Sequence, residues 1–312
     1  MTNSFEADVR AGLSAEQKHL SSKYFYDDNG SRIFQEIMNM PEYYPTDAEF
    51  EILAMQSKAI FEALDFSQPF NIIELGAGDG FKTYKLLEYL VNENINFNYV
   101  PIDISQQAID SLTKRLSERL PGLNIKPRTG DYFHVLKEEK HSEIPSLLLF
   151  LGGNIGNYHP DEADELLKLF HNNMNEGDKL LIGIDLKKNP LIIHKAYFDP
   201  HGITKRFNLN LLLRMNRELG ADFKVDDFDF YCHYNPITGD VKSYIVSLRA
   251  QKVHFKAMDF TVDFDYNELI WTELSKKYDF EGIDSMASRS GFEIQENFLD
   301  CKHYFTDSLW VR

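Results

Sequence analysis

The chain has 312 residues, 43% of them hydrophobic and 26% charged, the make-up of a folded globular protein with core enough for one large domain or two ordinary ones. Its 33 basic residues against 49 acidic ones leave a formal charge of −16, which argues against a nucleic-acid partner, because phosphate contacts need clustered Lys and Arg. The two cysteines, Cys232 and Cys301, form no C-x-x-C pair, and the ten histidines show no H-x-x-x-H or H-E-x-x-H spacing, so neither a disulfide framework nor a metal site is expected.

The N-terminus, M-T-N-S-F-E-A-D-V-R, lacks the basic start and apolar core of a signal peptide. No apolar run approaches the roughly 20 residues of a membrane span, so a cytoplasmic protein without membrane contact, and a monomer, is expected. The first 60 residues read as mostly helical. Ser31 to Met38 sets Ile33, Phe34 and Ile37 at helical spacing. Met40-Pro-Glu-Tyr-Tyr-Pro45 then interrupts, since proline disfavours helix at itself and just before it. Thr46-x-x-Glu49 has the form of a capping box opening a helix through about Leu64.

From 70 to 185 strand and helix alternate. Strands are expected at 70–75, 98–102, 124–128, 146–151 and 179–185, with helices at about 82–91, 105–120 and 160–174. That rhythm means βαβ units, a parallel sheet and right-handed crossovers, and ligands in such sheets lie beyond the carboxyl ends of the strands. Those ends read Gly76-Ala-Gly78, Asp103, Gly130-Asp-Tyr132 and Gly152-Gly-Asn154, and they converge on one crevice. After 190 the pattern changes: helices at about 191–199 and 207–219 precede an alternating stretch from Val241 to Phe255. There Tyr244, Val246, Leu248 and Ala250 take one face, with Ser243, Ser247, Arg249 and Gln251 among the intervening residues. Strands at 260–265 and 271–275, a helix at 281–290 and strands at 292–298 and 303–311 complete the chain, so the second module reads as an insertion.

The chemistry gathers at Phe70 to Lys82, F-N-I-I-E-L-G-A-G-D-G-F-K. Glycine there lets the backbone turn sharply and a ligand lie against bare amides. A dinucleotide fingerprint needs G-x-G-x-x-G, and Phe81 occupies its third glycine. An acidic residue two before G-x-G-x-G is similar instead to the first motif of class I S-adenosylmethionine (SAM) methyltransferases; a tight turn with no ligand is the plainer alternative. Asp103 can accept both ribose hydroxyls, because Ser105 is the better helix cap. Asp131 can meet an adenine amino group with Tyr132 beside the ring. Lys82, a cation at a helix start where the macrodipole disfavours it, pairs with an anion such as the cofactor carboxylate or is simply solvated. The loop Leu151-Gly-Gly-Asn-Ile-Gly-Asn-Tyr158 lacks the N/D-P-P-Y/F, G-x-S-x-G and Walker signatures.

Tyr24-Phe-Tyr-Asp27 with Gly30-Ser31, Pro41-Glu-Tyr-Tyr-Pro-Thr46, Glu74-Leu-Gly-x-Gly with Lys82-Thr83, Val100-Pro-Ile-Asp-Ile-Ser105, Gly130-Asp131, Phe150-Leu-Gly-Gly-x-Ile-Gly-Asn157 and Asn216-Arg-Glu-Leu-Gly-Ala-Asp-Phe223 occur in order. Together they resemble the histidine-specific SAM-dependent Nα-methyltransferases of ergothioneine biosynthesis, over nearly the whole chain. The resemblance implies an α/β fold, a class I Rossmann-like SAM methyltransferase sheet (61–190 plus 287–312) with an inserted α+β substrate-binding domain (1–60 plus 191–286). It implies trimethylation of L-histidine to the betaine hercynine. Gly76, Lys82, Asp103, Asp131 and Tyr132 would hold SAM. Tyr43, Asn157 and Tyr197 would hold the α-amino and carboxylate groups of histidine, and Glu273 and Ser275 its imidazole. Tyr26 matches a family tyrosine near the amino group, and Tyr26 or Tyr43, or a water between them, would relay the proton. Two further readings stand beside this one: another aromatic amino acid such as tryptophan, and a protein that binds SAM or an amino acid without turnover. Val246, on the strand taken to face the pocket, is either core or a reshaped side-chain pocket.

Overall fold

A computed structural model of the chain describes residues 4–67, 69–130 and 144–312; the expected SAM contacts Asp131 and Tyr132 lie outside them. The chain forms two compact units, Met1–Tyr44 with Lys188–Lys276, and Pro45–Lys187 with Lys277–Arg312. The second of these carries the large sheet. Its helices include nearly all of residues 44–64 and the whole of 280–290.

In the sheet unit, β1 (Phe70–Leu75) is an apolar run buried along its whole length. It pairs in parallel with β2 (Phe97–Asp103) on one side and β5 (Ser146–Phe150) on the other. The strand expected at 124–128 is two short pieces, β3 (Asn124–Ile125) and β4 (Arg128–Thr129), both paired with β2; Pro127 between them has no N–H for the ladder. Beyond β5 come β6 (Lys179–Asp185, parallel), then β13 (Phe305–Val311) and β12 (Glu293–Leu299), both joined by antiparallel pairings. The order is thus β12-β13-β6-β5-β1-β2-β3 in an eight-stranded sheet.

Each face of the sheet is covered by helices, as parallel pairing requires. Ile72, Tyr99, Leu147 and Leu181 pack with α3 (Tyr44–Leu64), α4 (Tyr84–Asn92) and α5 (Gln106–Arg119). Ile73, Val100, Leu148 and Ile182 pack with α6 (Pro160–Asn173) and α9 (Phe280–Ser290). Ser105 caps α5, its hydroxyl accepting from the Ala108 amide at 3.2 Å, which leaves Asp103 free of that duty as expected.

The other unit holds α1 (Ser4–Ser14), α2 (Asp28–Met38), α7 (Pro190–Tyr197), α8 (Ile203–Leu219), and two antiparallel sheets. One has the order β11 (Leu269–Lys276), β8 (Asp240–Ser247), β7 (Phe228–Tyr234); the other pairs β9 (Gln251–Phe255) with β10 (Phe260–Phe264). The alternating stretch 241–255 is therefore two strands of different sheets. Of its two faces the serine one is inward: Ser243 and Ser247 are buried while Leu248 is exposed. Burial of Ser247 is tolerated because its hydroxyl donates to the Arg249 carbonyl at 2.8 Å and accepts from Gln251 at 2.8 Å. No helix among the described residues is long and apolar enough to cross a membrane.

Candidate functional site

Strand order reverses direction at β1, where one neighbour lies ahead in sequence by a helix and the other by much more; ligands of doubly wound sheets lie at such switch points. The turn leaving β1 has φ of +66° at Gly76, +53° at Gly78 and +58° at Gly80, a left-handed path that only glycine follows without strain. A side chain built on Gly76 would meet nothing within 4 Å, so the backbone there faces an open cradle. The turn is tied to β2: the Gly76 and Ala77 amides donate to the Ile102 carbonyl at 2.9 and 3.2 Å. Asp103, half-buried at the end of β2, accepts from the Gly78 amide (3.1 Å) through one oxygen and the Ser105 amide (2.9 Å) through the other. A carboxylate accepts about four hydrogen bonds, so both oxygens keep capacity for a diol.

Lys82 does have an anionic partner, one that nothing in the local spacing marks. Its ammonium donates to Glu49 of α3. Glu49 is fully buried and also accepts from the Gly152 amide at 2.6 Å, so it is no capping-box acid. The acid of the glycine motif, Glu74, points inward: Thr83 donates to it at 2.5 Å, and so does Tyr99. Burial pushes its carboxyl up to about 7, the two hydroxyls offsetting part of the rise. Asn157, exposed, closes the 3-10 turn Asn154–Asn157 that follows β5.

In the other unit, ring packing links Tyr26, Tyr43 and Tyr197 through Phe34, a hydrogen bond adds Ser275, and Glu273 acts electrostatically on Tyr26. Tyr197 and Ser275, both buried, share a hydrogen bond of 2.9 Å between hydroxyls. The Tyr197 ring meets Tyr43 edge-on at 6.1 Å, Tyr43 meets Phe34 at 6.4 Å, and Phe34 meets Tyr26 at 5.5 Å. Phe207 lies against Tyr26 at 5.8 Å. Tyr26 keeps 48% of its surface open, yet the walls around it crowd the hydroxyl. That desolvation, and then the Glu273 carboxylate, push the phenol above its ordinary range, so Tyr26 holds its proton near neutral pH.

Glu273 is half-buried on β11, directly opposite Ser243 of β8 after a bulge at Trp271/Glu273. Ser275 pairs with Val241 in the same register. Opposite residues of an antiparallel pair share a face, and Val241 and Ser243 alternate with Val246, which pairs with Leu269. Val246 therefore lies on the other face from Glu273. Phe34 and Phe207 join the ring cluster, but as helix residues with core spacing they carried no separate signal.

Residues 5–312 match the model of the family described as "Histidine-specific methyltransferase, SAM-dependent". The chain belongs to that family. It is 35% identical over 288 residues to histidine N-alpha-methyltransferase of Mycobacterium tuberculosis, a match covering 91% of this chain and 87% of that protein. It is 35% identical over 309 residues to histidine N-alpha-methyltransferase of Mycolicibacterium smegmatis, with 98% and 94% covered. An L-tryptophan methyltransferase of Psilocybe serbica is 26% identical over 310 residues, with 91% and 85% covered. SAM is the cofactor of this family, and the described residues of the methyltransferase fit it: an open left-handed glycine turn for a ligand's close approach, a carboxylate with spare acceptor capacity at the next strand end, and a lysine in the turn just before α4.

Proposed function

We propose that this chain is a SAM-dependent L-histidine Nα-methyltransferase that carries its substrate to the trimethylated betaine, hercynine. The observation that carries the reading is the 35% identity, over nearly the full length, to two proteins named histidine N-alpha-methyltransferase, joined to a half-buried carboxylate, Glu273, near Tyr26 of a cluster of aromatic rings.

SAM supplies an electrophilic methyl group on a sulfonium. The rest falls to the chain. In this reading Gly76, Lys82 and Asp103 of the sheet unit, with Asp131 and Tyr132, hold the donor. Tyr43 and Tyr197, with Asn157, bind the α-amino and carboxylate groups of histidine. Glu273 and Ser275 accept and donate at the imidazole, whose ring nitrogens need partners of both kinds. The α-amine must shed a proton before each transfer, because an ammonium has no lone pair. Tyr26 keeps its own proton, so its hydroxyl takes up the proton leaving the ammonium only as it hands its own to a water, which carries it to solvent. The edge-and-face packing of Tyr26, Phe34, Tyr43 and Tyr197 also suits an amine that grows more methylated, since ring faces attract alkylated ammonium groups. A cytoplasmic monomer completes the proposal.

The test is to incubate the protein with SAM and a mixture of amino acids and to weigh the products. Methylated histidine as the dominant product is the expected result. Methylated tryptophan in its place would transfer the reading to a relative of the other kind, and no methylated amino acid at all would favour a protein that binds without turnover.

A further inference from the structure

Glu49 is 0% exposed, yet it touches two elements of the donor crevice. One oxygen accepts from the Lys82 ammonium and the other from the Gly152 amide at 2.6 Å. A side chain on Gly152 would come within 3.5 Å of the Lys82 nitrogen, so ammonium and loop share one spot. Gly183 on β6 makes room for this, because any side chain there would collide with the Glu49 carboxylate. Opposite Gly183 across the sheet stands Asp307 of β13, also 0% exposed, with neither oxygen bonded to a donor among the described residues. A carboxylate sunk this deep costs stability unless it is paired; Glu49 is paired and Asp307 is not.

The geometry points to Glu49 as a positioning residue: it holds the Lys82 ammonium against Gly152 so that the cation's remaining N–H groups serve the carboxylate end of SAM. The inference rests on the reading of Lys82 as the partner of that carboxylate. An ammonium has three donors, and Glu49 accounts for one. Asp307 does not compete for the cation. It makes no hydrogen bond among the described residues, and burial, and then the adjacent Glu49 charge, push its carboxyl well above the usual range, with Lys82 offsetting only part.

Binding of two probes to the full chain tests this: S-adenosylhomocysteine, and 5′-methylthioadenosine, which keeps adenosine and sulfur but lacks the amino-acid tail. If the wild-type protein bound neither, the donor site itself would be lost, and with it the proposed function. Given wild-type binding, Glu49→Gln is expected to weaken S-adenosylhomocysteine about tenfold or more while 5′-methylthioadenosine moves less than about twofold, the size of a lost charge-assisted contact. Equal losses for both probes would make Glu49 merely structural, and no loss for either would overturn the inference outright. Should Glu49→Gln fail to fold, Glu49→Asp, which withdraws the carboxylate by one methylene, puts the same question with the same outcomes. Asp307→Asn is expected to leave both probes bound as in the wild type; a selective loss as large as that of Glu49→Gln would overturn the assignment of the cation to Glu49 alone.

Discussion

A carboxylate can choose one ring over another only where water does not satisfy it for free. Glu273, half-buried beside Tyr26, meets that condition: an imidazole N–H can donate to it and an apolar ring cannot. Glu273→Ala is therefore expected to lower kcat/KM for histidine about 100-fold, the worth of a hydrogen bond to a charged group, and to change tryptophan far less. Steady-state assays with both amino acids decide it, and equal losses would take selectivity away from this residue. Glu74 carries a different prediction. Its folded carboxyl titrates near 7 against an ordinary 4.5, so between those values the unfolded chain has released a proton that the folded chain still binds. Stability then falls as pH rises through that window and levels above it, by about 3 kcal/mol in all. Melting curves from pH 5 to 8 should show the fall, and Glu74→Gln should flatten it.

At the scale of elements, α3 shows how one residue can serve either a local or a distant purpose. Thr46-x-x-Glu49 has a capping-box spelling, but the helix already begins at Tyr44, with Pro45 in its first turn, where proline's missing N–H costs nothing. Glu49 then falls beyond the cap and turns into the core. Gly183→Ala is expected to force its carboxylate aside at a cost of about 2 kcal/mol or more, as overpacking does, and Glu49→Ala should relieve part of that loss. Chemical denaturation of the two single variants and the double variant measures the coupling, and strict additivity would count against the contact. Strand ends such as Gly76 and Asp103 were legible in the sequence because turn chemistry is local. Glu49 and Asp307 were not, since what buries them lies far away along the chain. The inward serines of β8 were not legible for another reason: alternation tells that two faces exist, and only the hydroxyl partners of Ser247 tell why its face can be buried.

At the scale of the whole molecule, neither unit is a continuous piece of chain, and the backbone passes between them after Tyr44, Lys187 and Lys276. The sheet is likewise assembled out of sequence order, for β13 lies between β6 and β12. The strand made last among those described is thus an interior one, and it brings Asp307 and Phe305 with it, the latter within 3.4 Å of where a side chain on Gly153 would sit. During synthesis β6 must wait with a naked edge until Phe305–Val311 leaves the ribosome, a slow and aggregation-prone interval for so distant a pairing. Nascent chains stalled before Phe305 should stay open to protease and those released beyond Val311 should resist it, so the loop at Gly153 gains its Phe305 neighbour only once this strand has emerged.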